Sequence, residues 1–328
     1  MNLAAAARTK SPFVIAGLGA LLGSTSALLK LLTEYLTTMQ IVSGRVVLAS
    51  LTMFVLLAIR GDLRWPRGAV LRGAALLGIV DSVVPYTLMA IGARQTEAGV
   101  GAVLIATMPL FTMVFAVVLA REERWSAAKL GALAVGFAGV VIIAAPKSLG
   151  VGSGLPYGLG AYLGASIALG ASTVYGRRLL EHAQALEVSA WKLAAASILV
   201  VPAMLAVDGT PDASAFATRP LTAMLFIGVV STGLARMAYL WASGIIGSTR
   251  ISLVTYVMPG AGLIAAHLVL GEQPAPTTLA GLALILASLT AVSPRAARKA
   301  MQLARYAEVA AMKLASVRSN GNGKVAAE

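Results

Sequence analysis

Four charged side chains interrupt apolar runs long enough to cross a bilayer. They are Arg45 in IVSGRVVLAS, Asp81 in LLGIVDSVVPY, Lys192 in SAWKLAAAS and Arg236 in STGLARMAY. A guanidinium in such a place can hold a carboxylate or phosphate through paired hydrogen bonds. A carboxylate there can pair a cation, carry a proton or hold an ammonium group. An acid at the bilayer centre costs about 2.5–3.5 kcal/mol on insertion scales, so Asp81 is expected to face a cavity or a cation. Arg45 and Arg236 are its candidate partners. Lys192 lies closer to the edge of its run, where a long side chain snorkels to the headgroups and anchors the helix.

Aromatic and hydroxyl residues complete the set of candidate cavity groups. Tyr86, Tyr162, Tyr239 and Tyr256 fall in apolar runs of the same kind, and Tyr86 and Tyr256 are deep enough to touch an apolar substrate. Ser24, Thr25, Thr107, Ser166 and Thr255 offer hydrogen bonds to a zwitterion; as single residues each also suits helix–helix contact. Pro109 and Pro259 sit within spans, each expected to remove a backbone hydrogen bond and form a paired hinge, with Pro85 a third, less symmetric one. No nucleophile–base pair or metal-binding spacing accompanies them. The chain has no cysteine and two distant histidines, His182 and His267, so neither an enzyme nor a metal or organic cofactor is expected.

These residues must be positioned by helices in lipid. Of 328 residues 58% are hydrophobic and 12% charged, with a mean hydropathy of +0.84. A soluble domain carries about twice that share of charge. Spans of about 20 apolar residues read near 12–32, 38–59, 69–91, 97–119, 127–145, 157–176, 187–207, 220–244, 250–270 and 277–293. The net charge of +13 belongs to loops rather than to nucleic-acid binding. With the N-terminus inside, cytoplasmic segments hold 19 of the 26 Lys and Arg residues, including the basic tail 294–328. An excess of that kind marks the cytoplasmic side and puts both termini there.

The ten spans are five written twice. GLGALLGSTSA at 17–27 returns as GLGAYLGASIA at 158–168. At an offset of 150, Gly78 meets Gly228, Met108-Pro109 meets Met258-Pro259, Glu122 meets Glu272, and Gly131 meets Gly281. Segments 1–145 and 157–293 are therefore the two repeats. Because five is odd, the second copy enters the membrane from the opposite face. The expected fold is an all-α integral membrane protein, ten transmembrane helices as two inverted five-helix repeats around a central cavity. Inverted halves of this kind can exchange shapes and alternate access to a midplane site.

The stretch TEAGVGAVLIATMPLFTMVFAVVLAREERWSAAKLGALAVGFAGVV and its partner GSTRISLVTYVMPGAGLIAAHLVLGEQPAPTTLAGLALILAS resemble the two signatures of the drug/metabolite transporter superfamily, in its EamA-type ten-helix branch. The resemblance runs over 12–293. It implies a bacterial inner-membrane exporter of small metabolites, aromatic or neutral amino acids first among them. An arginine at Arg45 fits the family pattern; at Arg236 an aromatic is more usual, so that position departs from it. Other partners expected are membrane lipid and, through Asp81, a coupled proton, with a monomer as the working unit. Two further readings stand beside it: an exchanger of phosphorylated or nucleotide-linked solutes, and a membrane protein that senses a ligand without moving it.

Overall fold

The computed structural model describes residues 11–292 apart from Arg64, Arg67, 119–124, 149–154, His182, 247–250 and Ser252. Glu122 and the basic tail lie outside the described residues. All regular structure among the described residues is helical. The first span is Ser11–Gly23 and Thr25–Leu32, separated at Ser24, and the second is Thr38–Arg60. The third runs through Gly68–Gly78, a π-helical segment Ile79–Val83, and Val84–Gln95. The fourth is Ala98–Ile105 and Met108–Val118, the fifth Ala127–Ser148 and the sixth Leu155–Leu180. The seventh is Ala185–Val207; the eighth is Thr218–Leu225, a π-helical segment Phe226–Leu234, and Ala235–Ile246. The ninth is Val254–Leu270 and the tenth Pro276–Val292.

Among the described residues, seven helical stretches are long and apolar enough to cross a membrane, and Val254–Leu270 and Pro276–Thr290 are shorter apolar helices. Large apolar side chains point away from the protein, as lipid contact requires: Phe13 is 79% exposed and Ile198 76%. Local chemistry sets the ends. Thr37 and Gln40 form a reciprocal capping box at the start of the second span, which Gly61 closes in the left-handed region at φ 67°. Only glycine takes that conformation without steric cost.

The packing is that of two related halves. The fifth span lies along the tenth and the second along the seventh, each pair being equivalent partners. The second span also packs on the π-helical part of the eighth, and the seventh on the third. The ninth packs on the first as the sixth does on the fourth. Exchanging the halves maps the first two of these contacts onto themselves and the others onto one another.

Both π-helical segments fall at equivalent places. The Val84 N–H bonds the Ile79 carbonyl, and the Ala235 N–H bonds the Val230 carbonyl, five residues back in each case. Pro85, with no N–H to donate, is the second residue of the helix that follows the first. The two remaining prolines differ from each other. Pro259 stands inside its helix. Pro109 is the second residue of a helix restarted after Ala106 and Thr107, so it removes no intrahelical bond. Treating the fourth span as one continuous helix hid that break.

Candidate functional site

A cavity of about 320 Å³ lies where the first to fourth spans meet the sixth to ninth. Its size falls within the range of small-molecule sites. Apolar and soft surface dominates, with Met53, Met89, Met108 and Met258 supplying adaptable thioether contacts. Met108 and Met258 are repeat equivalents, so both halves contribute matching wall.

Two polar bridges cross between the halves beside this cavity, and the pseudo-symmetry relates them. On one side, the second span sends Arg45 to the π-helical part of the eighth, where its Nε donates to Thr232 Oγ1 at 2.9 Å. The neighbouring Ser231 exchanges a 2.6 Å hydroxyl bond with Thr25. On the other side, the seventh span sends Lys192 to the π-helical part of the third, where it ion-pairs with Asp81 Oδ2. Ser172 donates to the other carboxylate oxygen at 2.7 Å. Asp81 and Ser231 stand 150 residues apart, the repeat offset. A π-helical turn at each place widens the backbone and sets these side chains toward the partner half; such turns recur at functional sites.

Lys192 therefore overturns its sequence expectation. It is 5% exposed and paired inside the protein rather than snorkelled to the surface. The packing of the seventh span on the third closes over it, which a count from the span edge does not register. Asp81 takes Lys192 as its direct partner in place of the expected Arg45 or Arg236. Both arginines are still near enough for their charges to act on it.

Of the expected cavity groups, Thr25, Arg45, Tyr86, Arg236, Tyr239 and Thr255 line the space. The Arg45 guanidinium lies 3.7 Å from the Tyr86 ring centroid, a cation–π contact that holds the charge in place. Asp81 sits behind the wall, with Lys192 between it and the cavity. The others serve packing. Ser24 donates to the Leu21 carbonyl, while Thr107 and Ser166 both donate to that of Leu104. Tyr162 is fully buried against Gly92 and Gly101, and Tyr256 packs in an apolar cluster with Ile15 and Leu18. Sequence reasoning missed Ser26, Ser189, Ser231 and Thr232, which also line the cavity. Carrying the repeat offset from Asp81 to Ser231 was the signal available for the last two.

One end of the bundle is tied across its loops. Glu272, in the turn before the tenth span, accepts from the backbone N–H of Ala98 at 2.8 Å and of Gly99 at 3.0 Å, capping the fourth span. A carboxylate there satisfies two orphan donors and the helix dipole together. Lys30 donates to the Ala93 carbonyl, Arg94 to those of Thr33 and Leu36, and Thr37 to Asp208. None of these latch residues lines the cavity, which instead extends toward Thr173, Ser189 and Tyr239 near the other end. His267 joins the latch turn through the Glu272 carbonyl at 3.1 Å, a structural contact.

Helices in two matching halves around a shared, partly charged cavity define a multi-pass integral membrane protein of the solute-transporter kind. Residues 10–145 and 156–293 each match the EamA-like transporter family, and the chain belongs to that family. It is 24% identical to an uncharacterized transporter of Archaeoglobus fulgidus over 262 residues, 79% of this chain and 89% of the other. It is 26% identical to a probable terminal-alkyne amino-acid exporter of Streptantibioticus cattleyicolor over 237 residues, 71% and 76% of the two chains. The uncharacterized inner membrane transporter YedA of Escherichia coli K12 is 25% identical over 72% of this chain and 75% of its own. A protein crystal structure shares the fold at a TM-score of 0.61 and 18% identity, covering 89% of this chain and 99% of that one.

Proposed function

We propose that this transporter exports a small amphipathic metabolite bearing a carboxylate across the bacterial inner membrane by alternating access, as a monomer with both termini in the cytoplasm. The observation that carries the reading is the cavity between equivalent halves, bridged on each side by a cation from one repeat to a π-helical turn of the other. Two related bridges of unequal strength give the halves two related shapes to exchange. By the count of basic residues, the latched end faces outward, so the conformation described here takes up solute from the cytoplasm.

The carboxylate follows from Arg45 and Arg236, both in the cavity wall. Amino acids are the first solutes to try, since one relative is named as an amino-acid exporter. Asp81 is the natural place for a coupled proton, because protonating it removes the charge that holds Lys192. Counterflow in proteoliposomes with labelled amino acids, organic acids, sugars and sugar phosphates tests the reading. Saturable exchange of a carboxylate-bearing solute is expected. Binding without exchange would make the protein a sensor, and exchange confined to sugar phosphates would make it a phosphate-ester carrier.

A further inference from the structure

The two bridges are related by the repeat but not in charge. Lys192 has a carboxylate opposite it, Asp81; Arg45, its counterpart within one position of the repeat, bonds the Thr232 hydroxyl and meets Ser231 at the position equivalent to Asp81. Arg45 is 7% exposed, and its Nη1 has no hydrogen-bond partner among the described residues. A buried guanidinium nitrogen left unpaired is costly unless a ligand completes it. Arg236 lines the same cavity and forms no ion pair among the described residues. Among the described residues no Asp, Glu or His lines the space, and the carboxylate beside it, Asp81, is bound to Lys192. The wall therefore offers a place for a negative charge and none for a positive one.

We infer that the cavity selects an organic anion, a carboxylate on an apolar body, and discriminates against a solute that also carries an ammonium group. Arg45 and Arg236 receive the carboxylate, the ring of Tyr86 fixes Arg45 from behind, and the methionine surface takes the apolar body. Bringing an ammonium group into this field adds a cation with no free carboxylate to pair with it, so an amino acid is a poorer ligand than its deaminated analogue. The inference deepens the transport reading and rests on it only for the direction of movement, since selection is a property of binding.

Three probes isolate the point: 3-phenylpropionate, phenylalanine and phenethylamine share one ring and differ in their charged groups. Equilibrium binding to the purified full-length protein in detergent is expected to favour 3-phenylpropionate over phenylalanine by at least about tenfold, the scale of one charge-assisted hydrogen bond. Phenethylamine should not bind. Ser231→Asp copies Asp81 into the other half and gives Arg45 a counterion. That variant should keep its melting temperature and monodispersity while losing 3-phenylpropionate binding by about the same factor or more. Arg45→Lys should weaken binding of the anion, and restoring the wild-type residue should recover it. Phenylalanine bound as tightly as 3-phenylpropionate, phenethylamine bound at all, no probe bound, or full anion binding by a folded Ser231→Asp variant each overturns the inference. Counterflow measured separately distinguishes the two failures. Anion-selective binding without flux removes transport and leaves the selectivity standing; flux of phenylalanine in preference to the anion does the reverse.

Discussion

Asp81 and Lys192 are each tolerable in the membrane only because of the other. Breaking a buried pair by removing one partner typically costs about 3–5 kcal/mol, whereas replacing both by neutral groups is often close to neutral. Asp81→Asn and Lys192→Met singly should therefore lower the thermal stability of the detergent-solubilised protein by several degrees. The double variant should recover most of the loss, and the cycle gives the coupling directly. If Asp81 carries the coupled proton, Asp81→Asn in proteoliposomes abolishes the response of flux to a pH gradient. Unchanged flux with an unchanged gradient response removes the residue from coupling. The charges themselves were legible in the sequence, because an ion inside an apolar run stands out against its neighbours. Their partners were not. Which cation reaches Asp81 depends on how the seventh span seats against the third, with Gly78 close enough that a Cβ there would sit 2.4 Å from the Lys192 carbonyl.

Helix ends and close approaches decide how the spans are held. Glu272 caps the fourth span from the other repeat, so Glu272→Ala should destabilise by about 1–2 kcal/mol, the usual worth of an N-cap, seen as a lower melting temperature. Amide exchange at Ala98 and Gly99 should quicken in the same variant. Equal exchange in both proteins would mean the cap contributes nothing in solution. Gly23 meets the ninth span so tightly that an added Cβ would lie 2.3 Å from the Met258 carbonyl, while at Gly17 no atom lies within 4 Å. Gly23→Val should therefore lose folded yield or transport, and Gly17→Ala should change neither. The sequence placed the ten spans within a few residues, because hydropathy and length alone dictate where a helix in lipid begins and ends. The two copies of the glycine motif pack differently, which composition cannot show: Gly19 and Gly23 are crowded, whereas Gly160 faces open space. Internal irregularities were hidden for a related reason. A π-helical turn or a break at Ala106–Thr107 leaves composition unchanged and reflects how neighbouring helices satisfy the backbone.

At the scale of the whole molecule, the pseudo-two-fold relation turns local asymmetry into a reason to move. One bridge is a closed ion pair and the other an arginine with an open nitrogen, and one end is tied by Glu272, Arg94 and Thr37 while the cavity extends toward the other. On the proposed alternating-access reading, exchanging the two shapes carries the cavity from one face to the other without rebuilding it. The chain has no native cysteine, so a single introduced thiol reports without interference. Thr255 lines the cavity, and the most direct measurement of alternating access is the reaction of Thr255→Cys with a membrane-impermeant thiol reagent. The reagent is applied from each face of oriented proteoliposomes in turn. Reaction from both faces is predicted, faster from the latched face when Glu272→Ala is added. Reaction from a single face under every condition, with transported solute present on both sides, would contradict alternating access.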